Sequence, residues 1–325
     1  MTALVTGATG FIGRALVRHL AASGTPVIAL VRDPARAGDL GATPGVELAR
    51  GDLRDPARLR DLAARASIVY HLAGLTRARS RAEFMAVNAT ATGALAAAAA
   101  AAAAPPLFVY VSSLAVAGPR NAARPAREGD PPAPVNPYGE SKLGGELLLA
   151  SAGGGLRRVV VRPPWVYGPG DRQTLALFRM ASRGFFPSVR GGRMQVSLVH
   201  VDDLVEAIVL ASGAARPEGR VYYVTDGRVH TLAELGAALL DACGGGRHIH
   251  VPGPLFLLAG LAGEAASWVV RRPALLGRHK AGEALQEGWV CDDASIRAEL
   301  GYRSRIPLAE GLAATLMWYR RRGWL

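Results

Sequence analysis

"ALVTGATGFIG", residues 3–13, is the stretch that decides the fold. Ala3 to Thr6 forms a short apolar strand pattern that runs straight into Gly7, Gly10 and Gly13, and a helical pattern begins at once behind them. Each glycine has a physical job there: a tight turn, close approach of backbone to a pyrophosphate, and close packing of helix on strand. The helix N-terminus adds unpaired N–H groups and the positive end of a dipole, which stabilise a phosphate anion. Three glycines in a chain that has 39 signify little alone. A strand before, a helix after and a further strand at Val27 to Val31 give the pattern its meaning as a dinucleotide fingerprint.

Outward from that loop, short β-branched runs alternate with longer helical patterns, the sign of βαβ units around a parallel sheet. Strands are predicted at Ala3 to Thr6, Val27 to Val31, Val46 to Arg50, Ile68 to His71, Leu107 to Ser112 and Arg158 to Arg162. Ala96 to Ala104 extends a helical pattern begun near Ala82, since alanine is the best helix former, and Pro105 and Pro106 stop it. Gly118 to Pro137 has no periodicity and is predicted to be a loop at the carboxyl edge of the sheet, where such folds place their sites. Further on, helices are expected at Thr174 to Arg183 and Val201 to Ser212 and a strand at Val221 to Thr225; from Thr231 the chain reads mostly helical. The expected architecture is a Rossmann-type doubly wound α/β sheet over residues 1–164, with 195–226 crossing back onto it. Residues 165–194 and 227–325 are expected to form a smaller, mostly helical substrate lobe.

Composition excludes several classes. With 325 residues, half of them apolar, the chain can bury a large core. A formal charge of +12 invites nucleic acid as a partner, but the arginines are scattered, Lys142 and Lys280 are the only lysines, and no recognition motif accompanies them. Cys243 and Cys291 stand in no metal or redox spacing, so neither a disulfide framework nor a metal site is expected. The N-terminus shows no secretory pattern, and a cytoplasmic location is expected. Pro254 to Val270 is the longest apolar stretch, yet it carries Glu264 and glycines and is short for a span, so a buried or interfacial helix is predicted.

The end of the second strand reads "VIALVRDPARA", residues 27–37. Dinucleotide folds place an acid there for the ribose hydroxyl of NAD, or a base for the extra phosphate of NADP. Arg32, with Arg36 beyond, favours NADP, because a guanidinium engages phosphate oxygens as a fork. Asp33 points the other way unless it caps the next turn. Downstream, "VNPYGESKLGGELLLA" sets Tyr138 and Lys142 four apart at a helix start, hence on one face. A phenol is a poor acid or base near neutrality unless a nearby cation stabilises the phenolate. Ser112 and Ser113 end an apolar strand where a hydroxyl can hydrogen-bond a substrate oxygen as charge develops on it.

These residues resemble the extended short-chain dehydrogenase/reductases. The matching stretches are "TGATGFIG", "GDLRD", "HLAG", "VNATATG", "YVSSLAVAG", "YGESK", "RPPWVYGPGD" and "HVDDLVEA", in the family's order and over about two thirds of the chain. The resemblance implies a catalytic set of Ser113, Tyr138 and Lys142 with Asn88 beside it. Cofactor contacts are implied from Gly7, Thr9, Gly10, Phe11, Ile12 and Gly13, from Asp52 and Leu53 near the adenine, and from Ala73 and Gly74. Ser112, and Pro163, Pro164 and Val166 beside the nicotinamide, complete that set. Asp52 also suits a helix cap, and Asn88 a helix surface.

The same apparatus serves a dehydrogenase, an epimerase and a dehydratase. In nucleotide-sugar members an arginine four residues before the histidine of "VSLVHVDD" grips the diphosphate; here that position is Val196, and Arg193 is a weak substitute. "SSLAVAGPRN", "VRDPAR" and "WVCDDASIRAELGY" resemble the 3β-hydroxysteroid dehydrogenase and dihydroflavonol reductase branch. "PLFLLAGLAG", with Trp268 nearby, offers either an apolar ligand surface or core packing. The expected reaction is interconversion of a secondary alcohol and a ketone on an apolar small molecule, by a homodimer packed through Ala82 to Ala104 and Tyr138 to Ala150. A nucleotide-sugar epimerase or dehydratase is the alternative, and a non-catalytic NADP sensor the second. His200, with Asp202 and Asp203, is read as packing and capping rather than as a metal site.

Overall fold

In a computed structural model, residues 1–153, 155–215, 217–270 and 277–325 are described, with no side-chain description at 265–270, 278 and 279. The chain begins β1 (Ala3–Thr6), α1 (Phe11–Ala22), β2 (Val27–Val31), β3 (Val46–Arg50), α2 (Pro56–Ala64) and β4 (Ile68–His71). It continues with α3 (Arg81–Phe84), a π-helical turn at Met85–Thr90, α4 (Ala91–Ala100), β5 (Leu107–Val111), α5 (Pro137–Ala150), β6 (Arg158–Arg162) and β7 (Trp165–Tyr167). Then come α6 (Leu175–Ala181), β8 (Phe185–Val189), β9 (Gln195–His200), α7 (Val201–Ser212), β10 (Arg220–Tyr223), β11 (Val229–Thr231) and α8 (Leu232–Ala242). The last elements are β12 (Arg247–Val251), α9 (Gly253–Val270), α10 (Arg278–Ala284), β13 (Gly288–Trp289), α11 (Ala294–Leu300) and α12 (Leu308–Arg321).

Seven strands form one parallel sheet in the order β10-β6-β5-β4-β1-β2-β3, the doubly wound Rossmann arrangement. The order reverses between β1 and β4, and that switch point is where such sheets open a crevice at their carboxyl ends. Alternation along the strands decides what each face buries. Ala3, Val5, Ala29, Tyr70 and Val109 join the core under α1 and α7. Leu4, Ile28, Val69, Phe108 and Tyr110 join the opposite core, with α2, α4 and α5. A third cluster, centred on Phe178, Leu198, Leu239 and Tyr319, joins β9 to α6, α8 and α12.

Six of the seven predicted strands stand where the sequence places them, β5 ending one residue early at Val111; the seventh, expected at Val221 to Thr225, is β10 at Arg220–Tyr223. Two expectations need correction. The alanine tract leaves the helix at Ala100 rather than Ala104. The Pro105 ring would clash with the carbonyl of Ala101, and a residue before proline is pushed out of the α region, so the last helical turn cannot form. The region after Thr231 is also less helical than expected: β12 pairs in parallel with β8, and β13 with β9. Among the described residues, no helix is long and apolar enough to cross a membrane.

Candidate active site

At the switch point, α1 starts without a cap. Its N-cap is Gly10, which makes no side-chain hydrogen bond, and no acidic residue occupies the first turn. Arg14 N–H is the donor to Gly10 O at 2.9 Å, so the first-turn N–H groups ahead of it are left for an anion. Gly7 has φ 70°, and a Cβ there would stand 2.7 Å from Ala73 N. A Cβ on Gly13 would stand 2.1 Å from Gly7 O. The turn after β1, the start of α1 and the segment after β4 therefore meet backbone to backbone, and Thr9 and Gly10 are exposed above them. Phe11 and Ile12 are half-buried beside this cradle. The uncapped helix end and side-chain-free floor fit a pyrophosphate-containing dinucleotide.

At the end of β2, Asp33 accepts from Ala35 N–H at 3.1 Å and lies 3.4 Å from Arg36 Nε, so it caps its own turn. Arg32 is exposed and close enough to Asp52 to help hold that carboxyl below its ordinary range, although Arg54 is the stronger cause. Asp52 accepts from Arg54 N–H at 2.9 Å; the cap of α2 is Asp55, three residues on. Leu53 packs on the second core.

Behind the cradle lies a buried relay that the sequence reading did not single out. Thr6 Oγ1 is 2.6 Å from His71 Nδ1, and His71 Nε2 is 2.8 Å from Thr92 Oγ1, which donates to Asn88 O. Burial drives the His71 pKa down to about 3, with the Lys142 charge adding to the shift, so its ring is neutral and bridges two hydroxyls. Asn88 is completely buried in the π turn, not on a helix surface. Its Oδ1 accepts from Leu75 N–H at 2.7 Å, and its Nδ2 donates to Leu75 O and Ser141 Oγ, both at 2.9 Å. Asn88 thus ties the segment after Ala73 and Gly74 to α5. A π turn re-aims one side chain within a helix, a distortion common at functional sites.

The start of α5 is firmly capped. Asn136 accepts from Gly139 N–H at 2.7 Å, and Pro137 occupies the first helical position, where its missing N–H costs nothing. Tyr138 and Lys142 follow on one face. The Tyr138 ring is half-buried, with its centroid 6.0 Å from that of Phe84. Ser113 caps a short helical turn through a bond from Ala115 N–H at 3.1 Å. Lys142 Nζ donates to Val111 O at 2.7 Å and sits 4.3 Å from the centroid of Tyr110. A Cβ on Gly74 would lie 3.8 Å from that ammonium.

The electrostatics differ from the sequence expectation. Burial pushes the Tyr138 phenol up; interaction with the Ser113 hydroxyl pulls it part of the way back, and Glu283 adds to the rise. Lys142 is not among the groups lowering it. Burial holds Lys142 itself down to about 7, against the pull of Glu146. The ammonium is committed to a strand-end carbonyl, and desolvation dominates both groups.

Ser112 is likewise differently employed. Its hydroxyl donates to Glu146 Oε1 at 2.5 Å, and Arg162 grips the same carboxylate through Nε at 2.9 Å and Nη2 at 2.6 Å. Arg162 also donates to Tyr223 OH at 3.0 Å, which extends the buried network to β10. Glu146 and Arg162 lie 16 residues apart with no local pattern, and only the sheet brings them together. Pro163 O accepts from Leu114 N–H at 2.9 Å, joining the segment of Pro163 and Pro164 to the turn after Ser113. Val166 packs on the first core.

Val196 is 2 % exposed inside the third core, so no cation stands there; Arg193 is at the surface. His200 caps α7, and Asp203 accepts from Ser304 Oγ, Arg305 N–H and Ile306 N–H. An open cleft of about 930 Å³ lies between the loop after β5 and residues 286–288, lined by Arg120, Arg124 and Arg127 together with Asp130 and Glu287. Leu255, Leu258 and Leu261 of α9 are 57 %, 60 % and 52 % exposed, so this stretch is not core; the Trp268 side chain lies outside the described residues.

Comparison with known proteins agrees with this geometry. Residues 3–225 match the model of the NAD dependent epimerase/dehydratase family. A ceramide reductase of Caulobacter vibrioides is 36% identical across 99% of this chain and 95% of its own length. A 4-hydroxy-2-methyl-3-oxo-4-farnesyl-3,4-dihydroquinoline-1-oxide ketoreductase of Stigmatella aurantiaca is 33% identical across 97% of this chain and 95% of its own. Among solved structures, dTDP-glucose 4,6-dehydratase from Streptomyces venezuelae, with NAD and TYD bound, superposes with a TM-score of 0.81 at 27% identity, covering 100% of this chain and 98% of that one. The chain belongs to the NAD dependent epimerase/dehydratase family and is an enzyme of the extended short-chain dehydrogenase/reductase type, not a sensor.

Proposed function

We propose that the enzyme interconverts a secondary alcohol and a ketone on an apolar, lipid-, steroid- or flavonoid-like substrate, using NADP in preference to NAD. The observation that carries the reading is the placement of Tyr138 and Lys142 on one face of the capped start of α5, with the buried Lys142 ammonium donating to Val111 O at 2.7 Å at the carboxyl end of β5, two residues before Ser113. The nicotinamide would supply or accept the hydride. Gly7, Thr9, Gly10, Phe11, Ile12 and Gly13 would hold the pyrophosphate, and Arg32, with Arg36 near it, the 2′-phosphate. Asp52 and Leu53 would lie at the adenine, and Ala73, Gly74, Pro163, Pro164 and Val166 along the ring side. Tyr138 gives or takes the hydroxyl proton. A phenol held up by burial keeps its proton and is set to donate, which suits the reducing direction. Ser113 orients the substrate oxygen; Asn88 and Ser112 position the strand ends beneath it.

Support for an apolar substrate comes from Val196 in the place of a diphosphate-gripping arginine and from the two full-length reductase relatives. The test is titration with NADPH and NADH, followed by a panel of steroid, flavonoid and long-chain lipid ketones and UDP-sugars. Tighter NADPH binding with ketone turnover is expected. Turnover confined to nucleotide sugars would replace this reading with the epimerase or dehydratase one, which the arginine-lined cleft favours. We also propose a homodimer through α4 and α5, because Leu147 and Leu148 of α5 are 61 % and 41 % exposed. A monomeric mass in light scattering at micromolar concentration would refute it.

A further inference from the structure

The α9 helix presents an apolar face beyond the cores described above. From Val251 to Gly263 the chain carries no charged side chain. The α9 helix turns Gly260 inward, where a Cβ would stand 2.8 Å from Ala281 Cβ on α10. Outward it shows Leu255, Leu257, Leu258 and Leu261, 57 %, 39 %, 60 % and 52 % exposed, and Ile249 of neighbouring β12 is 45 % exposed. Contiguous leucines at this exposure mark an interaction surface rather than ordinary scatter.

The charge around this face says what covers it. Among the described residues the rim is formed by exposed Arg247 on β12, by Arg190, which donates to Leu285 O at 2.9 Å, and by Lys280, whose ammonium also pairs with Glu283. His248 and His250 are exposed between them. Apolar side chains framed by cations match a bilayer surface with anionic headgroups, where leucines enter the acyl boundary and cations meet phosphates. The helix is not long and apolar enough to cross.

This face also adjoins the site. Packed on α9, α10 carries Glu283, which accepts from Asn136 Nδ2 at 2.6 Å and acts on the Tyr138 phenol. We propose that α9, with Arg190, Arg247 and Lys280, seats the enzyme on an anionic membrane surface, Leu255, Leu258 and Leu261 inserting, so that the reacting end stands next to the lipid. The seat goes beyond the assigned reaction, and its test needs no turnover.

Purified enzyme is sedimented with vesicles of phosphatidylcholine alone and of an equimolar mixture with phosphatidylglycerol. Binding to the mixed vesicles only is expected, with release at about 1 M NaCl, where charges farther apart than about 3 Å are screened. Leu255→Glu/Leu258→Glu/Leu261→Glu should weaken that binding by about a hundredfold or more, with NADPH binding and thermal midpoint retained. If that variant fails to fold, Arg247→Glu on the exposed strand serves, with an expected loss of about threefold to tenfold. No sedimentation with mixed vesicles, or equal binding by the variants, overturns the proposal. A doubled mass in light scattering that the leucine variant abolishes, without vesicle binding, assigns the face to a second copy and overturns it too.

Discussion

Two helices start at the carboxyl edge of the same sheet and are finished in opposite ways. The start of α1 has a glycine cap, no side-chain bond and no acid in its first turn. By contrast, α5 has Asn136 as cap, Pro137 at its first position and Glu140 in its first turn. A helix end has unpaired N–H groups to satisfy, and stability alone would favour capping both. Leaving α1 bare keeps its dipole for an external anion. Capping α5 fixes the first turn, so Tyr138 and Lys142 sit on one defined face. On the proposed function, the contrast would divide labour between binding at α1 and proton transfer at α5.

The largest expected effect tests that division directly. Tyr138→Phe removes the proton donor and leaves α1 untouched, so turnover should fall by about a hundredfold to ten-thousandfold while NADPH affinity, read by fluorescence titration, stays within about twofold. A parallel loss of affinity would show that the two helix ends act as one unit. Comparable turnover would remove the phenol from the chemistry.

Arg32→Ala probes the other side of the contrast. A guanidinium on a phosphate makes charge-assisted hydrogen bonds worth about 1.5–3 kcal/mol. NADPH should therefore bind about tenfold to a hundredfold more weakly, and NADH almost unchanged, in isothermal titration. Asp33 accepts from Ala35 N–H and so caps its own turn. Equal weakening of both cofactors would return the end of β2 to NAD chemistry.

What was legible in the sequence follows the same physics. The strands β1, β2, β4, β5 and β6 announce themselves because a sheet buried on both faces needs near-continuous apolar runs, whereas β3, at the sheet edge, carries exposed Glu47 and Arg50. The Tyr138–Lys142 pair is visible because one helical turn separates them. Asn88 could be named from resemblance but not placed, since a π turn leaves no periodic mark in "MAVNAT". The Ser112–Glu146–Arg162 network was invisible, because its members meet only across α5, β5 and β6. The electrostatic expectation for Tyr138 was wrong for a similar reason: spacing shows which residues share a face, not how deeply the sheet buries them. In β12, "RHIHV" alternates polar and apolar residues, yet its pairing with β8 depends on a partner about 60 residues upstream.

The smallest effect separates the two roles of Asn136. Its Oδ1 caps α5, and its Nδ2 donates to Glu283 of α10 at 2.6 Å, so one amide joins α5 to α10. Asn136→Ala removes both and should cost about 2 kcal/mol in urea unfolding: about 1 for the cap, the rest for the partly buried bond to a carboxylate. Asn136→Ser restores an acceptor for Gly139 N–H but is too short to reach Glu283, and should recover about half. Full recovery by serine would mean that the tether contributes nothing to stability. No loss in the alanine variant would mean that α5 holds its first turn without a cap. In that case Pro137 and the packing of Tyr138 against Phe84 would have to fix the phenol, and the bare and capped helix ends would no longer differ in function for the reason given.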